Sequence, residues 1–494
     1  MNYSSTRDGS KSVPSSACLL KGISSDGGLF VPQSFPTLSL AQIMSLADLS
    51  YSERAFEILS RYLTDFTPEE LLECVRNAYD SGSFDNKEVA PLTRLTPDEN
   101  VLELWHGPTF AFKDMALQLL PHLLVKAKEK QGITDEIMIL VATSGDTGKA
   151  ALEGFCDVEG IRIAVFFPCD GVSNMQKMQM VTQRGSNVTV GAIKGNFDDA
   201  QTGVKRIFAD TAFNELLAGR GVRLSSANSI NWGRLVPQIV YYFSAYADLC
   251  KRNAIIPGDE INFVVPTGNF GNILAGYYAW RMGLPVNKFI CASNSNNVLT
   301  DFINTGHYNS RREFHKTMSP SMDILISSNL ERLLYHLADG NSDYIKTLMD
   351  KLRREGEYTA DSAVMERLRE KFYGGFATEE QTATAIKSTF ERYGYIIDTH
   401  TAVAQSVLED YRRKTGDTTP AVVVSTASPF KFPASVIKAI EGREMDDAEA
   451  VLRLEELGIT EPDSLKYLPM MPVLHDLVCE KDELSGVIYA SLFG

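Results

Sequence analysis

Apolar side chains return every three or four positions through the first part of the chain, which is the period of a helix with one buried face. LAQIMSLADLSYSERAFEILSRYL (40–63) carries this pattern, and TPEELLECVRNAY (67–79) opens on Thr-Pro-Glu-Glu, a helix start signal. The stretch from about 40 to 105 is expected to be helical, within an N-terminal, mainly helical module spanning 1–100. Beyond it the period changes. Short β-branched runs appear at 136–143, 161–167, 187–193, 261–267, 288–294 and 421–426, alternating with helical patterns. Runs this continuous suit strands buried on both faces, and their alternation with helices implies parallel sheets wound by βαβ units. The fold class is α/β.

The same pattern divides the rest of the chain. A smaller α/β domain is expected at 101–240 and a larger one at 241–440. Between about 297 and 390 the strands stop, and NLERLLYHLADG (329–340) and VMERLREKFYGG (364–375) read as amphipathic helices of an insertion. The tail, 441–494, reads as acidic and helical.

Composition narrows the function. With 494 residues the chain exceeds the size of a single core. Its formal charge of −15 argues against broad contact with a nucleic-acid backbone. The start lacks the apolar stretch of a signal peptide and no run approaches the ~20 residues that span a bilayer, so a cytoplasmic protein without membrane contact is expected. Seven scattered cysteines without a CxxC pair fit neither a disulfide framework nor a zinc site, and the seven histidines form no metal-binding spacing.

Two strand–loop–helix units carry candidate chemistry. In PTGNFGN (266–272) a strand enters Gly268, Asn269, Phe270, Gly271 and Asn272 and then a helix. Glycines let the backbone approach a ligand, and consecutive N–H groups at a helix N-terminus make a phosphate cradle. An ordinary tight turn is the equal alternative. ATSGDTGKAA (142–151) superficially resembles a nucleotide P-loop but has Thr143 where glycine is needed and Ala150 where a hydroxyl is needed. It offers hydroxyls, N–H donors and the Asp146 carboxylate, which suit a carboxylate or a cofactor ring.

Lys113 stands among Phe110, Ala111, Phe112 and Met115 in WHGPTFAFKDMALQLL (105–120). Apolar positions 112, 116, 119, 120, 123 and 124 describe one helix face, kinked at Pro121, with Lys113 in its first turn. The plain alternative is a snorkelling surface lysine. The functional reading is an amine whose charge is disfavoured by burial, able to condense with an aldehyde. An amine of this kind beside a phosphate cradle describes pyridoxal 5'-phosphate.

WHGPTFAFKD, ATSGDTGKAA, PTGNFGN, SSANSINWGR (225–234), MSPSMDI (318–324), SSNLERLL (327–334) and SSDGGLFVP (24–32) resemble the motifs of threonine synthase, a pyridoxal-phosphate enzyme of fold type II. The resemblance spans about 24 to 433. It implies two open, mainly parallel sheets with flanking helices. It also implies that Lys113 bonds the cofactor, that Gly268 to Asn272 hold its phosphate, and that Thr426 in STASPFKFP (425–433) meets the pyridine nitrogen. Many members read TAHPAKF there, and Ser428 and Phe430 depart from it.

The family's substrate is O-phospho-L-homoserine. Arg234, Asn231 and Ser226 are the candidates for its phosphate, with a salt bridge as the alternative role of Arg234. Ser144, Gly145 and Thr147 are expected at its α-carboxylate, and Asp146 there or at the cofactor O3'. His400 in DTHTAVA (398–404) matches a family segment and is expected as a packed or helix-start histidine, with a catalytic role as the alternative. The implied reaction is a β,γ-elimination and replacement with Lys113 as general base. The same residues would serve a phospho-lyase releasing 2-oxobutyrate, or more remotely a non-catalytic cofactor-binding protein. Neither monomer nor homodimer is favoured.

Overall fold

A computed structural model describes residues 1–143, 145–169 and 172–493, apart from the side chains at 197 and 198. Two open sheets dominate the architecture. The six-stranded sheet runs Phe372–Phe376, Val286–Ser293, Ile261–Pro266, Ala421–Ser425, Glu99–Glu103, Leu92–Thr96 from edge to edge. All its pairings are parallel except the last. The five-stranded sheet runs Leu477–Cys479, Val188–Ile193, Ile161–Pro168, Glu136–Ala142, Val222–Ser226 and is parallel throughout. Ile261–Pro266 and Ala421–Ser425 are buried along their whole length, which is why their sequences do not alternate. Mainly parallel α/β architecture is therefore present, with helices covering both sheets.

Several elements depart from the sequence expectation. The N-terminal module also contains a three-stranded antiparallel sheet of Asp8–Pro14, Asn2–Ser5 and Phe30–Pro32. These strands are short, and Asn2–Ser5 (NYSS) has no apolar run to announce it. The helices end at Tyr79, and 92–103 is a hairpin whose second strand pairs with Ala421–Ser425. The helical reading of 364–375 ends at Lys371. The following FYGGF is the edge strand Phe372–Phe376, where Gly374 lets the backbone approach Thr300: a Cβ there would stand 3.1 Å from the Thr300 Cα. In the tail, Leu477–Cys479 joins the five-stranded sheet, and Leu484 and Ile488 of the last helix share a core with Ala200, Val204 and Ile207. The sheets thus draw strands from both sides of the boundaries expected at 100 and 440.

The helix expected from Phe112 is two helices, Asp114–Leu117 and Leu120–Lys130. Pro121 sits in the first turn of the second, where its missing N–H has no intrahelical acceptor to lose. Thr67 caps Pro68–Tyr79 in a reciprocal capping box with Glu70, as the Thr-Pro-Glu-Glu signal predicts. Among the described residues all seven cysteines are free, and no helix is long and apolar enough to cross a membrane.

Candidate active site

Lys113 is fixed by the segments on either side of it. Before it, Ala111 bridges Ala427, the Phe112 N–H donates to the Thr426 carbonyl at 2.9 Å, and the Ser428 N–H donates to the Phe110 carbonyl at 3.0 Å. This short antiparallel crossing brings the lysine loop against the end of Ala421–Ser425, with Phe110 in a left-handed conformation (φ 60°). After it, the buried Asp114 carboxylate accepts the Thr109 N–H at 2.8 Å and the Thr109 hydroxyl at 2.7 Å. Burial pushes the Asp114 carboxyl up to about 6, against these hydrogen bonds. Lys113 stands immediately before helix Asp114–Leu117 and is only 9% exposed.

The Lys113 Nζ lies 3.3 Å from Asp146 Oδ2 and 3.4 Å from the Ser321 hydroxyl. Burial lowers its affinity for a proton; Asp146 opposes this, while the Lys431 and Arg234 cations add to it, and the net direction is down. Asp146 opens helix Asp146–Phe155, after Gly145 at φ 135°. It also receives the Ser321 hydroxyl at 2.8 Å, the Gln176 side-chain amide at 2.9 Å and the Lys431 ammonium at 3.1 Å. Burial works to raise its carboxyl, but Lys431 and Lys113 outweigh burial and hold it well below the usual carboxylate range.

The turn from Gly268 to Asn272 has the geometry of an anion cradle. Phe270 is left-handed (φ 63°) and precedes helix Gly271–Arg281 without any side-chain cap. The backbone N–H groups of Gly268 to Asn272 find no acceptor among the described residues. A Cβ on Gly268 would stand 2.9 Å from the Ser321 carbonyl oxygen, so only glycine fits without displacement. Asn329 holds the turn from outside, donating its N–H and side-chain amide to the Asn269 carbonyl at 3.1 and 3.0 Å. Asn272 accepts the Tyr241 and Tyr242 hydroxyls at 2.6 and 2.9 Å, while its buried Nδ2 has no partner among the described residues.

Around the SSANSINWGR loop the candidates separate. Arg234 is 3% exposed, donates from Nη1 to the Ala227 carbonyl at 2.6 Å, and leaves its buried Nε unpartnered. Burial pushes this guanidinium down to about 10, and among the described residues no carboxylate is within salt-bridge reach of it. Asn231, expected at the phosphate, is instead committed to the chain: its Nδ2 donates to the Leu19 and Ser226 carbonyls at 3.0 and 3.1 Å. Both donors a phosphate could use are taken. The Ser226 hydroxyl accepts the Asn228 N–H at 3.2 Å and retains its own proton to give. Thr147 is half-buried in the first turn of Asp146–Phe155, and Ser144 lies outside the described residues. Thr426 is 5% exposed at the end of its strand, beside the Lys113 loop.

His400 is buried at the start of helix Thr399–Thr415. Its Nδ1 faces Asp398 Oδ2 at 2.9 Å and its Nε2 accepts the Ser321 N–H at 3.2 Å, so it anchors the residue whose hydroxyl touches Asp146 and Lys113. Ser321, Gln176 and Lys431 were not singled out from the sequence. Ser321 lies in MSPSMDI and Lys431 in PFKFP, where a lysine directly after a phenylalanine repeats the Phe112–Lys113 step.

Three family models cover the chain: "Threonine synthase N terminus" at 2–79, "Pyridoxal-phosphate dependent enzyme" at 101–427 and "Threonine synthase, C-terminal" at 401–462. The threonine synthase of Pseudomonas aeruginosa is 40% identical over 440 residues, which is 89% of this chain and 90% of that protein. The chain belongs to the threonine synthase family. Solved threonine synthases share its fold throughout. The pyridoxal-phosphate-bound enzyme from Brucella melitensis matches with a TM-score of 0.88 at 38% identity, covering 100% of this chain and 99% of that one. The yeast enzyme matches with 0.89 at 32% identity, covering 100% and 98%. The human protein named threonine synthase-like 1 is 42% identical over 445 residues, 88% of this chain, and the chain spans 59% of that relative's length.

The donor set fits the cofactor on which this family depends. A phosphate needs clustered N–H donors, which the uncapped turn and the orphaned Asn272 amide offer. An aldehyde needs a buried amine of lowered proton affinity, which Lys113 offers.

Proposed function

We propose that this chain is a threonine synthase, a carbon–oxygen lyase that converts O-phospho-L-homoserine and water to L-threonine and phosphate. The observation that carries the reading is Lys113 Nζ at 3.3 Å from Asp146 in a buried site where the Arg234 guanidinium, which has no carboxylate partner among the described residues, bears on the same lysine. Pyridoxal phosphate, held by Lys113 and by the turn from Gly268 to Asn272, would supply the electron sink that makes the substrate's α- and β-protons removable. Thr426 would meet its ring nitrogen. A hydroxyl there leaves the ring less strongly protonated than a carboxylate would.

The remaining work falls to the chain. Lys113, its charge disfavoured by burial, takes the protons from Cα and then Cβ at Nζ and, once the phosphate has left Cγ, returns one to Cγ, so that the double bond moves from Cβ–Cγ to Cα–Cβ. Arg234 grips the substrate phosphate through two N–H groups and stabilises the charge that grows as the Cγ–O bond breaks. Ser226 adds a hydroxyl donor. Gly145 and Thr147, with Ser144, would receive the α-carboxylate at the start of Asp146–Phe155, where the helix end favours an anion. Asp146 would face the cofactor O3', because its charge, which Lys113 and Lys431 hold in place, would repel the substrate carboxylate. Burial excludes stray water until one molecule adds at Cβ.

The test is the fate of solvent oxygen. Turnover in ¹⁸O-water should label the β-hydroxyl of threonine and leave the released phosphate unlabelled. Label in phosphate instead would mean simple ester hydrolysis and end the reading.

A further inference from the structure

Asp146 lies between two buried lysines. Lys113 approaches Oδ2 at 3.3 Å and Lys431 approaches Oδ1 at 3.1 Å. Lys431 is 1% exposed, and its ammonium has a second partner in the Gln179 side-chain oxygen at 2.8 Å. The carboxylate is further held by Gln176 on Oδ1 and Ser321 on Oδ2, and behind Ser321 stands His400, whose Nε2 accepts the Ser321 N–H. The cations bearing on Lys113 are Lys431 and Arg234. One buried carboxylate with two lysines is an unusual charge count for a site whose chemistry requires one of those lysines to be neutral.

We propose that Lys431 is a positioning residue that holds Asp146 in place and balances its charge, so that Lys113 does not have to. The inference rests on the reading of Lys113 as the cofactor's amine. When Lys113 gives up its charge, Asp146 would otherwise be a buried carboxylate without a cation, a state expensive enough to pull the proton back. Lys431 removes that penalty. It also repels a charge on Lys113, lowering that amine's hold on its proton. Packing explains why Lys431 is the fixed partner: its stem follows Pro429 and Phe430 on a buried turn and it is 1% exposed, against 9% for Lys113.

The full-length, cofactor-free chain tests this through the rate at which it captures pyridoxal phosphate, followed by the appearance of the visible band between pH 6 and 10. Each variant is expressed as a ratio to the unmodified chain at the same pH, which cancels the cofactor's own ionisations. Lys431→Met should move the profile upward by about one unit, so that capture on its rising limb falls about tenfold. Lys431→Arg, which keeps the charge, should leave the profile near its original position. If Lys431→Met does not fold, Lys431→Gln, which retains a neutral donor, carries the same expectation. An unmoved profile in the neutral variants, or an equal shift in Lys431→Arg, would overturn the proposal. Borohydride trapping followed by peptide mapping separates the two readings. Label on Lys113 with an unmoved profile defeats this inference alone, whereas label on Lys431 defeats the assignment of Lys113 as well.

Discussion

Replacing Arg234 by methionine should weaken the enzyme and leave the fold as stable as before or more so. The side chain is 3% exposed and no carboxylate among the described residues pairs with it. Burial lowers it from 12.5 to about 10, which corresponds to a cost of about 3 kcal/mol for holding the charge there. Methionine fills a similar volume and removes that cost, but it strands the Ala227 carbonyl that Nη1 meets at 2.6 Å, a loss of about 1–3 kcal/mol. The net change in stability is therefore about 0 to 2 kcal/mol in favour of the variant. Substrate binding moves the other way. Deleting one partner of a buried charged hydrogen-bonded pair costs about 2–5 kcal/mol, so kcat/KM for O-phospho-L-homoserine should fall at least about thirtyfold. Urea melts of the cofactor-loaded chain and steady-state kinetics on the same preparation give both numbers. Marked destabilisation with unchanged kinetics would refute the reasoning and make Arg234 a structural residue.

Lys113→Ala should lose turnover and the visible band of bound cofactor together; a variant retaining turnover would remove Lys113 from its role. Gly268→Ala places a Cβ 2.9 Å from the Ser321 carbonyl, so equilibrium dialysis should show cofactor affinity reduced about fivefold or more, as expected for about 1–3 kcal/mol of overpacking. Protonated His106 donates to Asp85 at 2.5 Å and to Glu103 at 2.8 Å, and these carboxylates raise it to about 9 against the opposing effect of burial. A histidine raised in the folded state stabilises fully below its unfolded value near 6.5 and loses that stabilisation as pH rises through 9. Chemical melts from pH 6 to 10 should therefore show a decline that His106→Gln flattens; parallel curves would contradict the ion-pair account.

What the sequence made legible follows from burial. The central strands are enclosed on both faces, so runs such as INFVVP and AVVVS must be apolar throughout, and they stand out. Edge strands carry no such demand. FYGGF reads as the end of a helix followed by a glycine turn, and VRLSS (222–226) offers two apolar residues before it enters a loop. Their pairing is decided by neighbours far along the chain. The site divides in the same way. Lys113 and the GNFGN turn announce their chemistry locally, through apolar flanks and glycines. Asn231 does not, because an amide in such a loop can serve a phosphate or cap a helix, and only its contacts with Leu19 and Ser226 decide. Ser321 meets Lys113 across 208 positions of sequence, and Gln179 meets Lys431 across 252. No local pattern encodes either meeting.

The most direct test of the account is to mix the purified chain with pyridoxal phosphate and O-phospho-L-homoserine and to quantify threonine, 2-oxobutyrate and phosphate in one sample. Threonine and phosphate in equal amounts is the predicted result. Phosphate matched by 2-oxobutyrate, or no phosphate at all, would contradict it.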